Sequence, residues 1–222
     1  MADEDSSGGQ GRSRFVTGTV WALLLLGLWL WGRDMTDGGS ALGDVSAAGR
    51  QLGGAPKLPA AHEPLSDAAR PVQLDIDAIG VHAKVVARGL DRHGGVQPPP
   101  YSKPEVVGWY KDGATPGEEG ASILVGHVDT DTRRAVFYPL SSVQPGNRVD
   151  VTRADGTVAE FTVERTDVVP RKHFDAQQVY APEKDDRAEV KLITCGGTFD
   201  RSKHAYTSNV VVTAYLTGTH RL

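Results

Sequence analysis

The 222 residues are 39% hydrophobic and 23% charged, with 26 glycines, 13 prolines and a single cysteine. That length and apolar content allow one folded domain together with uncompacted chain. The formal net charge of -4, the lack of a long Lys/Arg run and aromatics that are not interleaved with basic residues argue against a nucleic-acid partner.

Residues 1–14 are polar and read as a short cytoplasmic tail. Residues 15–31 run Phe-Val-Thr-Gly-Thr-Val-Trp-Ala-Leu-Leu-Leu-Leu-Gly-Leu-Trp-Leu-Trp without a charge. A helix needs roughly 17–25 apolar residues to cross a bilayer, so the run predicts a single membrane anchor. Trp29 and Trp31 suit the interface at its outer end, and Arg12 and Arg14 at its start favour an N-terminus inside and the remainder outside. The competing reading is a cleaved signal peptide. Gly32-Arg33-Asp34 offers no small-x-small site directly after the run, whereas Ala41 and Ala47-Ala48 leave a later cut open. Residues 32–70, rich in Gly, Ala, Pro, Ser and Asp, lack apolar periodicity and predict a flexible tether, with room for a short helix at 40–52.

The folded domain is expected over 71–218. Residues 72–77 alternate apolar and polar side chains as a half-buried strand does, and 81–86 supply the next strand. Gly94-Gly95 and Pro98-Pro99-Pro100 mark a loop before the apolar 106–110. Asp112-Gly113 and Pro116-Gly117 mark turns before a strand over 121–128, and 136–140 reads as short helical or irregular chain. Asp155-Gly156 joins strands 148–153 and 158–166 as a hairpin. Residues 190–194 and 209–216 supply two late strands. Many short strands between Gly/Pro turns predict a mostly β, barrel-like closed sheet.

Two strand ends carry the residue types that do chemistry. Leu192-Ile193-Thr194 leads into Cys195, followed by Gly196-Gly197. A lone cysteine makes no intramolecular disulfide and is too few ligands for a thiolate metal site, which leaves a buried small hydrophobe or a nucleophile. Ile123-Leu124-Val125-Gly126 leads into His127, a turn histidine or an acid/base able to act on the Cys195 proton or on a leaving amine. His62, His82, His93, His173, His204 and His220 lack such a setting, and His127 with Asp129 is too small a set for a metal. Acyl transfer at a thiol also needs an oxyanion stabiliser. Arg201 is the one arginine between Cys195 and the last strand; Arg133, Arg134 and backbone N–H groups are alternatives.

These residues resemble a sortase, most nearly the class F sortases of actinobacteria. The likeness spans 71–218. It lies in the Thr-Leu-x-Thr-Cys type of strand end at Cys195 and the Gly-His-Val-Asp segment from Gly126 to Asp129. It continues in Cys-x-Gly-x-Phe-Asp-Arg from Cys195 to Arg201 and Tyr-x-x-Asn-Val-Val-Val from Tyr206 to Val212. Val107-Gly108-Trp109-Tyr110 and Pro116-Gly117 add to it. The resemblance implies an eight-stranded β-barrel on a membrane anchor. It implies a cysteine transpeptidase that cleaves an LPxTG-like C-terminal sorting signal on surface proteins and passes the acyl group to an amine of a peptidoglycan precursor or the envelope. Cys195 is then the nucleophile, His127 the acid/base and Arg201 the charge on substrate and oxyanion, with no cofactor and no assigned metal. Many sortases carry the arginine at the start of the final strand, where this chain reads Ala205-Tyr206-Thr207-Ser208-Asn209. Two other readings stand beside this one: an extracytoplasmic cysteine peptidase with water as acceptor, and a tethered barrel that only binds.

Overall fold

The computed structural model describes residues 57–222. The expected tail, the membrane span at 15–31, the short helix at 40–52 and most of the tether lie outside the described residues. Among the described residues, no helix is long and apolar enough to cross a membrane.

Strand β1 (Pro71–Ile76) passes through a 3₁₀ turn at Asp77–Ile79 into β2 (Val81–Arg88). Gly80 closes that turn at φ 64°, a left-handed conformation that a side chain with a Cβ resists. Val81, Ala83 and Val85 of β2 turn inward while His82, Lys84 and Val86 face out, which is the period-2 pattern of a half-buried strand. Then follow β3 (Val107–Tyr110), β4 (Gly120–Val125), β5 (Arg148–Arg153) and β6 (Thr157–Pro170). A short helix α1 (Ala176–Tyr180) precedes β7 (Ala188–Asp200) and β8 (Ala205–Arg221). Asp175 caps α1 by accepting from the backbone N–H groups of Gln177 and Gln178.

The eight strands close in the order β1-β2-β3-β4-β7-β8-β6-β5, and β5 pairs back onto β1. Closure leaves no free sheet edge. Pairs β2–β3 and β4–β7 are parallel and the others antiparallel. Inward side chains such as Leu74, Ile76, Val107, Leu124, Phe161, Leu192, Val212 and Leu216 fill the barrel, and Phe137 and Leu140 join them from the β4–β5 connection. A smaller apolar cluster lies on the outer wall. There Ile123, Val125, Ile193 and Val211 are covered by Val96 from the β2–β3 connection and by Phe174, Val179 and Tyr180 from the β6–β7 connection.

Two features depart from the sequence reading, and a third lies outside it. First, β6, β7 and β8 are 14, 13 and 17 residues long, well beyond their apolar cores. Cys195 therefore lies inside the ladder, opposite Asn209, and not in a loop after the strand. The glycines make a bulge where a chain end was expected: the register slips between Gly196 and Phe199, with Gly197 at φ 77°. The outer half of this hairpin is polar, so no alternation marks it as strand. Second, residues 57–70 are laid against the barrel. The backbone N–H groups of His62 and Leu65 donate to Leu216 and Gly117 at 2.8 and 2.7 Å, the Tyr215 hydroxyl donates to the Pro59 carbonyl, and Arg153 donates to that of Asp67. Third, a buried ionic network holds the β6–β7 connection down. Lys191 donates to Glu183 at 2.6 Å, and Arg187 bridges Glu164 and Glu189 at 2.6 and 2.7 Å.

Candidate active site

Strands β4 and β7 run side by side in parallel, with Val125 opposite Ile193. Both residues belong to the outer apolar cluster. Side chains repeat a face every two residues, so His127 and Cys195 follow them on that same outer face. The pairing carries past the strand end: the Gly126 N–H donates to the Ile193 carbonyl at 3.1 Å, and the Thr194 hydroxyl donates to the Gly126 carbonyl at 2.8 Å. His127 and Cys195 thus follow neighbouring strands of one wall, each two residues beyond the paired Val125 and Ile193. Gly126 is required by packing. A Cβ there would meet Phe137 Cδ2 at 2.6 Å and Val136 Cγ1 at 2.8 Å.

The His127 residue is buried, at 8% exposure. Its Nε2 lies 2.7 Å from the Pro99 carbonyl. A carbonyl only accepts, so Nε2 carries a hydrogen and Nδ1 is the ring atom left for proton traffic. Tyr101 stacks on the imidazole with centroids 4.2 Å apart and planes 22° apart. The proline-rich β2–β3 connection therefore sets the orientation of this histidine.

Cys195 is open to solvent on one side. The protein crowding its other sides pushes the thiol above its ordinary value; Asp129 pushes the same way, and Arg171 opposes both. The resting group is a thiol, so attack requires removal of its proton. Asp129 follows His127 by two residues and accepts a hydrogen bond from the Tyr206 hydroxyl on β8.

The candidate cations fall in different places. Arg201 is exposed in the turn of the β7–β8 hairpin, beyond the Asp200–Ala205 pair. Six residues of extended chain separate it from Cys195, up to about 20 Å at about 3.3 Å per residue. Arg133 is paired with Glu105 at 3.6 Å, and the Arg134 guanidinium lies 4.3 Å over the Tyr138 ring. Arg171, absent from the sequence reading, follows β6 directly. Pro170 stands opposite Ser208, which stands opposite Gly196, so Arg171 begins about two strand spacings, roughly 10 Å, from the nucleophile's neighbour. Only the β6–β8–β7 pairing brings it there; nothing in its local sequence signals the site.

Among the described residues, no group of three His, Cys, Asp or Glu is placed to hold a metal. Two clefts lie nearby. One of about 620 Å³ between β6 and the β6–β7 connection is lined by residues including Asp167, Val169, His173, Val179 and Val211. One of about 420 Å³ is lined by residues including Glu105, Arg133, Arg134 and Tyr138. Cys195 and His127 line neither.

The sortase domain family model matches residues 74–217. The chain belongs to the sortase family. Sortases are cysteine transpeptidases that act on surface proteins bearing sorting signals, and Cys195 is the one cysteine this sortase has. Solved structures agree on the fold. Sortase A of Listeria monocytogenes is similar at a TM-score of 0.51 and 20% identity, over 70% of this chain and 92% of that one. A sortase from Actinomyces oris matches at a TM-score of 0.52 and 17% identity, over 75% of this sortase and 90% of that chain. The lid mutant of sortase A from Corynebacterium diphtheriae gives 0.50 and 20%, over 68% and 73%. No curated protein matches by sequence.

Proposed function

We propose that this sortase is a class F enzyme that cleaves an LPxTG-like C-terminal sorting signal and transfers the released acyl group to an amine of the cell envelope. The observation that carries this reading is the placement of Cys195 and His127 on one outer face, beside an apolar cluster. The Cys195 sulfur attacks the Thr carbonyl carbon while its proton passes to His127. The tetrahedral adduct collapses, the C–N bond to Gly breaks, and His127 returns the proton to the departing amine. The thioester is then attacked by the acceptor amine, whose proton leaves through His127, and the thiol is restored.

The developing oxyanion needs positive charge. Arg201 takes this role if the hairpin folds back over the bound signal from its Gly196-Gly197 bulge. A second reading has its own support: Arg171 is the cation whose charge already acts on the Cys195 thiol. The enzyme is further proposed to sit outside the membrane on the anchor at 15–31, which would raise the local concentration of membrane-borne acceptors.

The test is a product analysis with a labelled sorting-signal peptide, with and without an amine acceptor. Transfer to the amine supports the transpeptidase. Release of free acid alone, at a rate the amine does not change, assigns the chain to the peptidases. No Cys195-dependent product with any sorting-signal peptide leaves the binding barrel.

A further inference from the structure

Asp129 and Tyr206 meet across the mouth of the site. Asp129 lies in the β4–β5 connection, two residues past His127, with its backbone bridged to Arg134. Tyr206 lies on β8 opposite Phe199, and the two rings touch edge-to-face with centroids 5.2 Å apart. The Tyr206 hydroxyl donates to Asp129 Oδ2, a contact between residues 77 apart in sequence. This bond is the main reason the Tyr206 phenol is pushed up to about 12, so its proton stays in place through any working pH.

Two charged groups of opposite sign bear on Cys195. His127 stands at the end of β4 with Nε2 committed to Pro99. Arg171 comes from the β6–β7 connection and favours the thiolate, whereas Asp129 disfavours it. Tyr206 comes from β8, Arg134 is turned onto Tyr138, and Arg201 is out at the hairpin tip. Asp129 is thus the acidic group set against the nucleophile, and Tyr206 is the donor that holds it.

We propose that Tyr206 is a positioning residue that binds the Asp129 carboxylate and thereby limits the negative charge felt at Cys195, while tying the β7–β8 hairpin to the β4–β5 connection. This rests on Cys195 being the nucleophile of the reading above. The positive end of the hydroxyl spreads the carboxylate charge and fixes it towards β8. Without the hydroxyl, Asp129 is an unshared anion beside the thiol. Without the Asp129 charge, Tyr206 has nothing to hold and Arg171 acts unopposed.

The experiment is the pH dependence of Cys195 alkylation by iodoacetamide in the parent, Tyr206→Phe, Asp129→Asn and the double variant. Phenylalanine keeps the ring on Phe199. Tyr206→Phe is expected to raise the midpoint by roughly 0.5–1 unit and Asp129→Asn to lower it by a similar amount. The double variant is expected to follow Asp129→Asn. An unchanged midpoint in Tyr206→Phe overturns the proposal, and so does a Tyr206→Phe shift that persists in the double variant. Alkylation needs no sorting signal, so this outcome is independent of the reaction. Failed peptide transfer in the parent strikes the transpeptidase reading, whereas absent shifts with intact transfer remove only the tuning.

Discussion

Lys191→Met removes the buried cation that pins the β6–β7 connection to the barrel. The Lys191 side chain is 2% exposed, donates to Glu183 at 2.6 Å and lies 3.9 Å from Glu189, which is fully buried. Removing one partner of a buried pair costs about 3–5 kcal/mol, because the other charge is left desolvated. Here Arg187 still holds Glu189 at 2.7 Å and Arg165 still holds Glu183 at 2.6 Å, so the low end, about 3 kcal/mol, is expected. At about 2–4 °C per kcal/mol for a domain of this size, Tm should fall by about 6–12 °C in a thermal melt followed by circular dichroism. The backbone of Glu183 is also tied down, through its N–H to Glu189 at 2.9 Å. The connection ending there carries Arg171, Phe174, Val179 and Tyr180, so KM for a sorting-signal peptide should rise more than kcat falls. A Tm within about 2 °C of the parent would refute the reasoning, since the cation would then be holding nothing.

The two candidate cations separate kinetically. Arg201→Ala is expected to lower kcat/KM by about 10²–10³-fold with Cys195 alkylation unchanged, while Arg171→Ala raises the alkylation midpoint at a smaller kinetic cost; the reverse ranking of kcat/KM moves the oxyanion role to Arg171. Acid should loosen the wall of the site. The hydrogen bond from Lys191 holds the Glu183 carboxyl below its ordinary value, so its contribution is fully present above that ordinary value and is lost as pH falls through the lowered one. Urea midpoints should therefore drop below about pH 4.5, and a Glu183→Gln variant should show a flatter acid limb. Gly126→Ala must displace Phe137 or Val136, which approach to 2.6 and 2.8 Å, at a cost of about 1–3 kcal/mol; kcat/KM should fall as His127 moves, and a parental melt and rate would contradict the packing described here.

Much of the barrel was legible in local pattern. The alternation of β1 and β2, the Asp155-Gly156 hairpin and the apolar runs ahead of His127 and Cys195 each report a strand through side chains that must be buried. The polar outer halves of β7 and β8 carry no such pattern, because cross-strand pairing to each other holds them and no core burial marks them. Cys195 was for that reason read as lying after a strand that in fact continues to Asp200. Residues 57–70 mix Ala and Leu with polar side chains without a period, and their attachment rests largely on hydrogen bonds with backbone groups that composition does not register. Arg171 and the Tyr206–Asp129 pair reach the site only through long-range pairing, across β8 in one case and 77 residues in the other. Asp129 and Tyr206 each lie in a short motif, but neither motif announces that they meet, and Arg171 lies in none.

The most direct test is the intact mass of the enzyme during turnover of a sorting-signal peptide. A Cys195 nucleophile predicts a covalent acyl adduct on its sulfur that disappears when an amine is added, as peptide–amine product forms, and neither species in Cys195→Ala. Product formed by Cys195→Ala at the parental rate would contradict it.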